Sequence, residues 1–493
     1  MHAVASKRRL PLHPLEKALL GTAGLEAGFL PWAFGTMHVW SQLTALALSL
    51  LAFGLALWPR LYRDNLTEGK EYRLRGWIRL VRFPGFWLGL ALLTLLAIQA
   101  MNPAWTWHRN ATTWWLVRVE DIPWLPTSIE APFDRFNLWR QFVIYATVWL
   151  TTCALWIGIT RRKSLHLLLG LMVANAVTLG IVGFIHKASG DPRLLWLREF
   201  PGAASFGSFV YRNHAGSYFG LVSFSALGLA AWHFFEGRRR MARSTPAVFW
   251  LLTAAFLGCT VVFSLSRGAM LSVGIFGLLA AIMLVIMGVM TKTRSTTPAS
   301  VNIMLASVVL VIGGYIVKTV DFSGIQARFE DISASRGGIS TFETRRLASQ
   351  AALEMAGDHW IRGVGAGGFR YLFPEYLKRQ PQIYINGRMF WEHAHNDWLE
   401  IPIELGLGGV LVLAVAAAWL GLAWFQARGY WHPMALMLML GAGHTLMHAL
   451  VDFPFQCPAV LITWAILVVA SLRWVELDPA WGGRKGRIEG RTR

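Results

Sequence analysis

The sequence predicts an all-α polytopic membrane protein with about twelve transmembrane helices and one large extracytoplasmic loop. Composition comes first. Of 493 residues, 55% are hydrophobic and 15% charged, against roughly 25% charged in a soluble protein, and mean hydropathy is +0.44. Second, apolar runs long enough to span a bilayer, about 20 residues each, recur along the chain. Third, Lys and Arg cluster at alternate exits from those runs, which orients the chain. The 25 Trp residues suit interfacial belts. A net charge of +19 would suit nucleic acid if it formed a stripe. It lies instead in short clusters between apolar runs, so no nucleic-acid partner is expected. Cys153, Cys259 and Cys457 lie in or beside apolar runs and form neither a disulfide framework nor a metal spacing.

The first run, near 15–34, is the weakest because it holds Glu16, Lys17 and Glu26. Clearer ones follow near 39–58, 80–100, 141–160, 164–185, 214–235, 246–265, 269–290 and 299–318, then 398–426, 432–451 and 455–473. Lys7, Arg8 and Arg9 precede the first. Arg60, Arg161, Arg238, Lys292, Arg428 and Arg473, most with basic neighbours, follow the even-numbered runs. Both termini are therefore expected inside. The chain divides into an N-terminal membrane domain over 1–319, an outer loop over 320–397, a C-terminal membrane domain over 398–473 and a basic cytoplasmic tail over 474–493.

The outer segment 101–140, rich in Trp and Pro, is expected along the membrane interface. In the large loop, Ser340-Thr341-Phe342-Glu343 reads as a capping box for a helix over 344–355, with Gly357 as its stop. The run from Gly363 to Gly368 formally matches GxGxxG. A helix rather than a strand precedes it, so it reads as a structural turn.

The polar groups worth weighing lie on the outer side. His444, His448 and Asp452, spaced by four, share one helix face, and hydrogen bonding is the favoured role because HExxH and a further metal ligand are absent. Arg267, between two apolar runs, either snorkels to headgroups or offers its fork to a diphosphate. Arg212-Asn213-His214 opens a span, as an interfacial anchor or as a cation at a helix N-terminus that binds an anion. Arg345 and Arg346 occupy the helix end that disfavours cations, which hints at a further role. His393 and His395 flank Ala394 beside Asn396 and Asp397, and a neutral imidazole there is a candidate general base, with His395 preferred to His393. Two arginines and a base at a membrane surface suit a lipid-linked donor with a diphosphate leaving group.

Six stretches carry a family resemblance: 34–40 (FGTMHVW), 209–216 (FVYRNHAG), 264–268 (SLSRG), 363–369, 393–400 with Glu404-Leu405-Gly406, and 448–456 (HALVDFPFQ). In this order they resemble the O-antigen ligase and O-antigen polymerase family of bacterial envelope glycosyltransferases. The resemblance implies a C-type glycosyltransferase fold in the bacterial inner membrane, acting at the periplasmic face. It implies an undecaprenyl-diphosphate-linked glycan donor, metal-independent transfer without a cofactor, and an acceptor such as the lipid A core or another glycan. It assigns catalysis to Arg212, Arg267 and His395, with His214, Arg345, Arg346, Asn396, His448 and Asp452 as substrate-binding residues. The stretches do not separate ligases from polymerases or from protein O-oligosaccharyltransferases. Outside this class the rival is a polysaccharide transporter or flippase, which repeats and interrupted mid-membrane helices would favour.

Overall fold

The computed structural model describes residues 12–63, 71–200, 205–242, 244–290, 341–384 and 391–478. Helices occupy eleven of the twelve expected places: α1 (Pro14–Trp32), α2 (Val39–Leu57), α3 (Gly76–Val81) with α4 (Pro84–Met101), α5 (Leu138–Gly158), α6 (Arg162–Ser189), α7 (Arg212–Arg239), α8 (Ala247–Phe263), α9 (Arg267–Met290), and, beyond the loop helices α10 (Thr341–His359) and α11 (Phe369–Leu377), α12 (Asp397–Gln426), α13 (Pro433–His448) and α14 (Pro458–Glu476). The run near 299–318 lies outside the described residues. Among those residues eight helices are long and apolar enough to cross a membrane. The chain is an all-α polytopic membrane protein.

Local chemistry sets the helix starts. Proline stands in the first turn of α1, α4, α13 and α14, where its missing N–H costs nothing. Asn137 caps α5 by accepting from the Arg140 amide at 2.9 Å. The run near 80–100 is broken before Pro84, which separates α3 from α4. The bundle core runs through α1, α2, α5, α6, α7 and α14, for example Leu19, Ala52, Cys153, Leu169, Phe219 and Ile466.

Residues expected inside gather at one end of this bundle. Glu16 accepts from Thr160 Oγ1 and Ser164 Oγ at 2.6 Å and faces Arg60 at 3.7 Å. Arg60 in turn donates to the Gly158 carbonyl at 2.6 Å, and Arg473 to that of Ile159 at 2.5 Å.

The other end carries a second core over α10, α11 and the segment 101–140. That segment is folded, which its Trp and Pro content did not predict. β3 (Pro103–Arg109) pairs antiparallel with β4 (Trp114–Arg118) and parallel with β5 (Ser128–Glu130). Two short hairpins precede and follow it in the chain, β1 (Arg60–Arg63) with β2 (Glu71–Leu74), and β6 (Arg193–Leu194) with β7 (Arg198–Glu199). Trp105, Trp107, Trp114 and Leu116 of the β3–β4 pair pack against the loop core. The loop helix extends beyond its expected stop at Gly357 to His359. Ser340 lies outside the described residues.

The glycine-rich run is a turn that docks this outer layer on α12. Helix α12 breaks at Gly406 (φ 65°, ψ −171°). The break frees carbonyls that would otherwise be satisfied within the helix, and in a bilayer they need partners. Val364 and Gly365 donate to the carbonyls of Ile403 and Glu404 at 3.0 and 2.9 Å, and Gln99 Nε2 adds a bond to Glu404 O at 3.0 Å. Gly363 has φ 71°, and a Cβ there would collide with the Glu404 carbonyl, so only glycine fits.

Candidate active site

The site is built where α7, α9, α12 and α13 present the ends expected outside. Its centre is Phe453, in the turn between α13 and α14. Four rings pack around it: Tyr211 stacked at 5.1 Å, His393 stacked at 4.6 Å, and His214 and His395 edge-on at 5.2 and 4.9 Å. The turn is held by Asp452, whose Oδ2 accepts from Asn213 Nδ2 and, at 3.4 Å, from the Tyr211 hydroxyl, while Oδ1 accepts from the Phe453 amide at 2.9 Å. This corrects one expectation. Helix α13 ends at His448, so Asp452 lies in the turn and off the helix face shared by His444 and His448.

Those two histidines are tied to serines on neighbouring helices. His448 Nδ1 is 2.6 Å from Ser217 Oγ on α7, and His444 Nδ1 is 2.9 Å from Ser272 Oγ on α9. Both contacts are hydrogen bonds of the kind expected from the sequence.

His395 follows Ala394 in a left-handed backbone conformation (φ 53°), a conformation that costs a residue with a Cβ about 1 kcal/mol or more. Its ring sits against Trp391 and Phe453. Burial, the Arg345 cation, and the neighbouring His393 and His214 push its pKa down to about 3, so the ring is neutral. Six buried polar atoms in this region have no hydrogen-bond partner among the described residues: Trp391 Nε1, His395 Nδ1, Asn396 Oδ1, Asp397 Oδ1, His214 Nε2 and His448 Nε2. Buried polar groups are nearly always paired, so such a concentration at one helix-bundle end makes this region the candidate site.

The arginines divide. Arg212 and Arg267 are the first residues of α7 and α9. Arg345 reaches the Val451 carbonyl at 3.5 Å, and its charge acts on His395 and Asp452. Arg346 is turned away: it is exposed and paired with Glu343 at 2.5 Å. Three residues went unassigned at the sequence level. Arg370 and Glu400 bracket His393, with Arg370 Nη2 at 3.2 Å from Nε2 and Glu400 Oε1 at 2.7 Å from Nδ1. Phe453 lay inside a recognised stretch without a role. Glu400, an ionisable group at the mouth of an apolar run, was the readable signal, because charge inside a span marks function or pairing.

A multi-pass helical membrane protein with a histidine- and arginine-lined site at one end is the class this geometry defines. Residues 251–414 match the family model described as O-antigen ligase, which supports that family for this chain and, with it, a role of the O-antigen ligase or polymerase type. The match runs from α8 to the middle of α12. It includes Arg267, Arg345, Arg346, His395 and Asn396, whereas Arg212, His214, His448 and Asp452 lie outside it. No curated protein matches the chain.

Proposed function

We propose that the protein transfers a glycan from undecaprenyl diphosphate to an acceptor hydroxyl, such as one on the lipid A core, at the periplasmic face of a bacterial inner membrane. The observation that carries this reading is the group of unpartnered buried atoms around His395, close to the Arg345 charge and at the bundle end where Arg212 and Arg267 begin their helices.

In this mechanism the acceptor oxygen attacks the anomeric carbon, the carbon–oxygen bond to phosphate breaks, and the diphosphate leaves with the electron pair. Arg212 and Arg267 offset its growing charge, their forks matching phosphate oxygens. His395 takes the acceptor proton. A ring with a pKa near 3 is a weak base by itself. Burial is the largest cause of that low value and the Arg345 cation the second; the negative charge of a bound diphosphate opposes both, since it screens the cation and stabilises the imidazolium, and so raises the pKa. Donor binding thereby activates the base. Asn396, Asp397, His214, His448 and Asp452 provide polar contacts to the sugars or hold the ring cluster, and Arg346 drops out of the site. The interrupted helix at Gly406 is covered by the 361–365 segment, which donates to the freed carbonyls, and this favours transfer chemistry over a flippase.

The test is to incubate purified protein with lipid-linked glycan and either lipid A core or a second copy of the lipid-linked glycan, with and without chelator. Transfer to the core identifies a ligase; growth of the lipid-linked chain identifies a polymerase, and no new glycosidic bond with either acceptor overturns the proposal. Activity that survives chelation fits a metal-independent route.

A further inference from the structure

The Arg370–His393–Glu400 row has a direction. Arg370 has only donors, so its Nη2 donates to His393 Nε2, which must be the unprotonated nitrogen. His393 Nδ1 therefore carries the proton and donates to Glu400 Oε1 at 2.7 Å. Both ring nitrogens are used, and the ring is 5% exposed. Burial and the Arg370 cation hold its pKa well below the ordinary histidine range. Such a ring is neutral and fixed in one tautomer. It cannot take a proton from an acceptor without breaking its bond to Arg370.

The same carboxylate also holds the backbone. Glu400 Oε2 accepts from the Ala394 amide at 2.7 Å. Ala394 directly precedes His395, the residue with φ 53°. One side chain thus clamps the ring before and the peptide adjoining the strained residue. On its far side the row reaches α11, where the Arg370 guanidinium also lies 4.4 Å over the Phe136 ring.

We propose that Arg370, His393 and Glu400 form a positioning unit that holds the 393–395 turn, and with it the His395 ring, in its working orientation. The proposal rests on the reading of His395 as the base. The three residues act through His395 and touch no substrate. Strain of this kind persists only where surrounding bonds over-determine it, and here those bonds come from the loop helix α11 on one side and the membrane helix α12 on the other.

The experiment uses full-length Glu400→Gln, His393→Asn and Arg370→Lys proteins. Gln keeps the volume of Glu400 but cannot accept both bonds as a carboxylate does, and Asn keeps a donor toward Glu400 while losing the acceptor for Arg370. Hydrogen–deuterium exchange at the Ala394 amide should rise in Glu400→Gln. Transfer should fall about 10- to 100-fold at saturating donor in both variants, the scale of a small misplacement of a reacting group. Donor KM should stay within about threefold, since the arginines at α7 and α9 are untouched. Arg370→Lys keeps the charge and one donor and should recover some of the rate. The pH profile should keep its shape in His393→Asn, because neither Glu392 and Glu400 on its own segment nor Arg370 opposite brings this ring into titration near neutrality. Loss of a limb of that profile in His393→Asn would make His393 the base and overturn the assignment. Parental rates in all variants would overturn it as well. Were the parent itself to transfer no glycan, the functional reading would fall, whereas the Ala394 exchange would still judge the clamp.

Discussion

Gly268 lies directly against His448: a Cβ on this glycine would stand 2.7 Å from the imidazole Cδ2. The contact ties the start of α9, and so the neighbouring Arg267, to the end of α13. Gly268→Ala should therefore push the imidazole away from Ser217, with an overpacking cost of about 1–3 kcal/mol. Transfer should drop by more than the fraction of protein that unfolds. Thermal unfolding and turnover measured on one preparation check this, and unchanged values for both would show that the ring has room to move.

Arg212→Ala and Arg267→Ala should each lower turnover about 10²- to 10³-fold, by analogy with removing one preorganised charge-stabilising donor. Lys should rescue poorly, because a point charge does not replace the planar fork. Arg346→Ala, with its partner Glu343 on the same exposed surface, should leave turnover within about twofold, as surface pairs contribute little. Steady-state kinetics on the detergent-purified variants separates these outcomes.

Sidedness is separately testable. Single cysteines at Arg239 and Gln382, on a background without Cys153, Cys259 and Cys457, should be labelled from opposite faces by an impermeant reagent. Labelling of both from one side would remove the periplasmic site from the proposal.

The long apolar runs were legible because hydropathy over some 20 residues reports the bilayer directly. That Arg212, Arg267 and His395 stand at or just before helix starts was readable because apolar runs mark where each crossing begins. The row through Arg370 was not. Its members are separated by 23 residues on one side and 7 on the other, and only the fold of the outer loop brings them together. The sheet over 103–130 was hidden for a different reason. Its Trp residues pack against the core of the loop helices, and composition alone reads the same residues as an interfacial belt. Helix α10 passed its expected stop because Gly357 costs a helix only about 1 kcal/mol, less than the packing of Ala351, Ala352 and Met355 returns.

An acid limb near pH 6 is expected in the rate profile, and Asp452 supplies it. Burial raises this carboxyl to about 6, against the opposing pull of the Phe453 amide, Arg345, Asn213 and Tyr211. Below that pH it gains a proton, loses its charge, and weakens as an acceptor for Asn213 and Tyr211. The stability consequence has the opposite sign. A carboxyl with a raised folded-state pKa favours the folded state fully below its unfolded value of about 3.9, and this contribution is lost as pH rises through about 6. Asp452→Asn should abolish the limb while lowering the plateau rate. A limb that remains at the same pH in Asp452→Asn belongs to another group, with the donor-bound His395 next in line.

Phe453 offers the most searching test of the site as a unit. Its ring meets Tyr211, His214, His393 and His395 at 5.1, 5.2, 4.6 and 4.9 Å. Those partners come from α7, from the residue that precedes it and from the turn before α12, so the ring is a common wall for separate chain segments. Aromatic pairs contribute about 0.5–1.5 kcal/mol each beyond the area they bury. Phe453→Leu keeps most of the apolar volume and removes all four pairings. It should lower the unfolding free energy by about 1–3 kcal/mol, less than the four pairs summed, because shared contacts are not additive. Turnover should fall more steeply than stability, at least about 10-fold, since the edge-on contact to Phe453 is one of the two ring contacts that fix the His395 imidazole. Phe453→Tyr retains the ring and should retain most of the rate, provided its hydroxyl finds one of the unpaired atoms nearby. A Leu variant with parental turnover would mean that the four rings orient themselves without the wall, and the base would then owe its geometry to Glu400 and the backbone clamp alone.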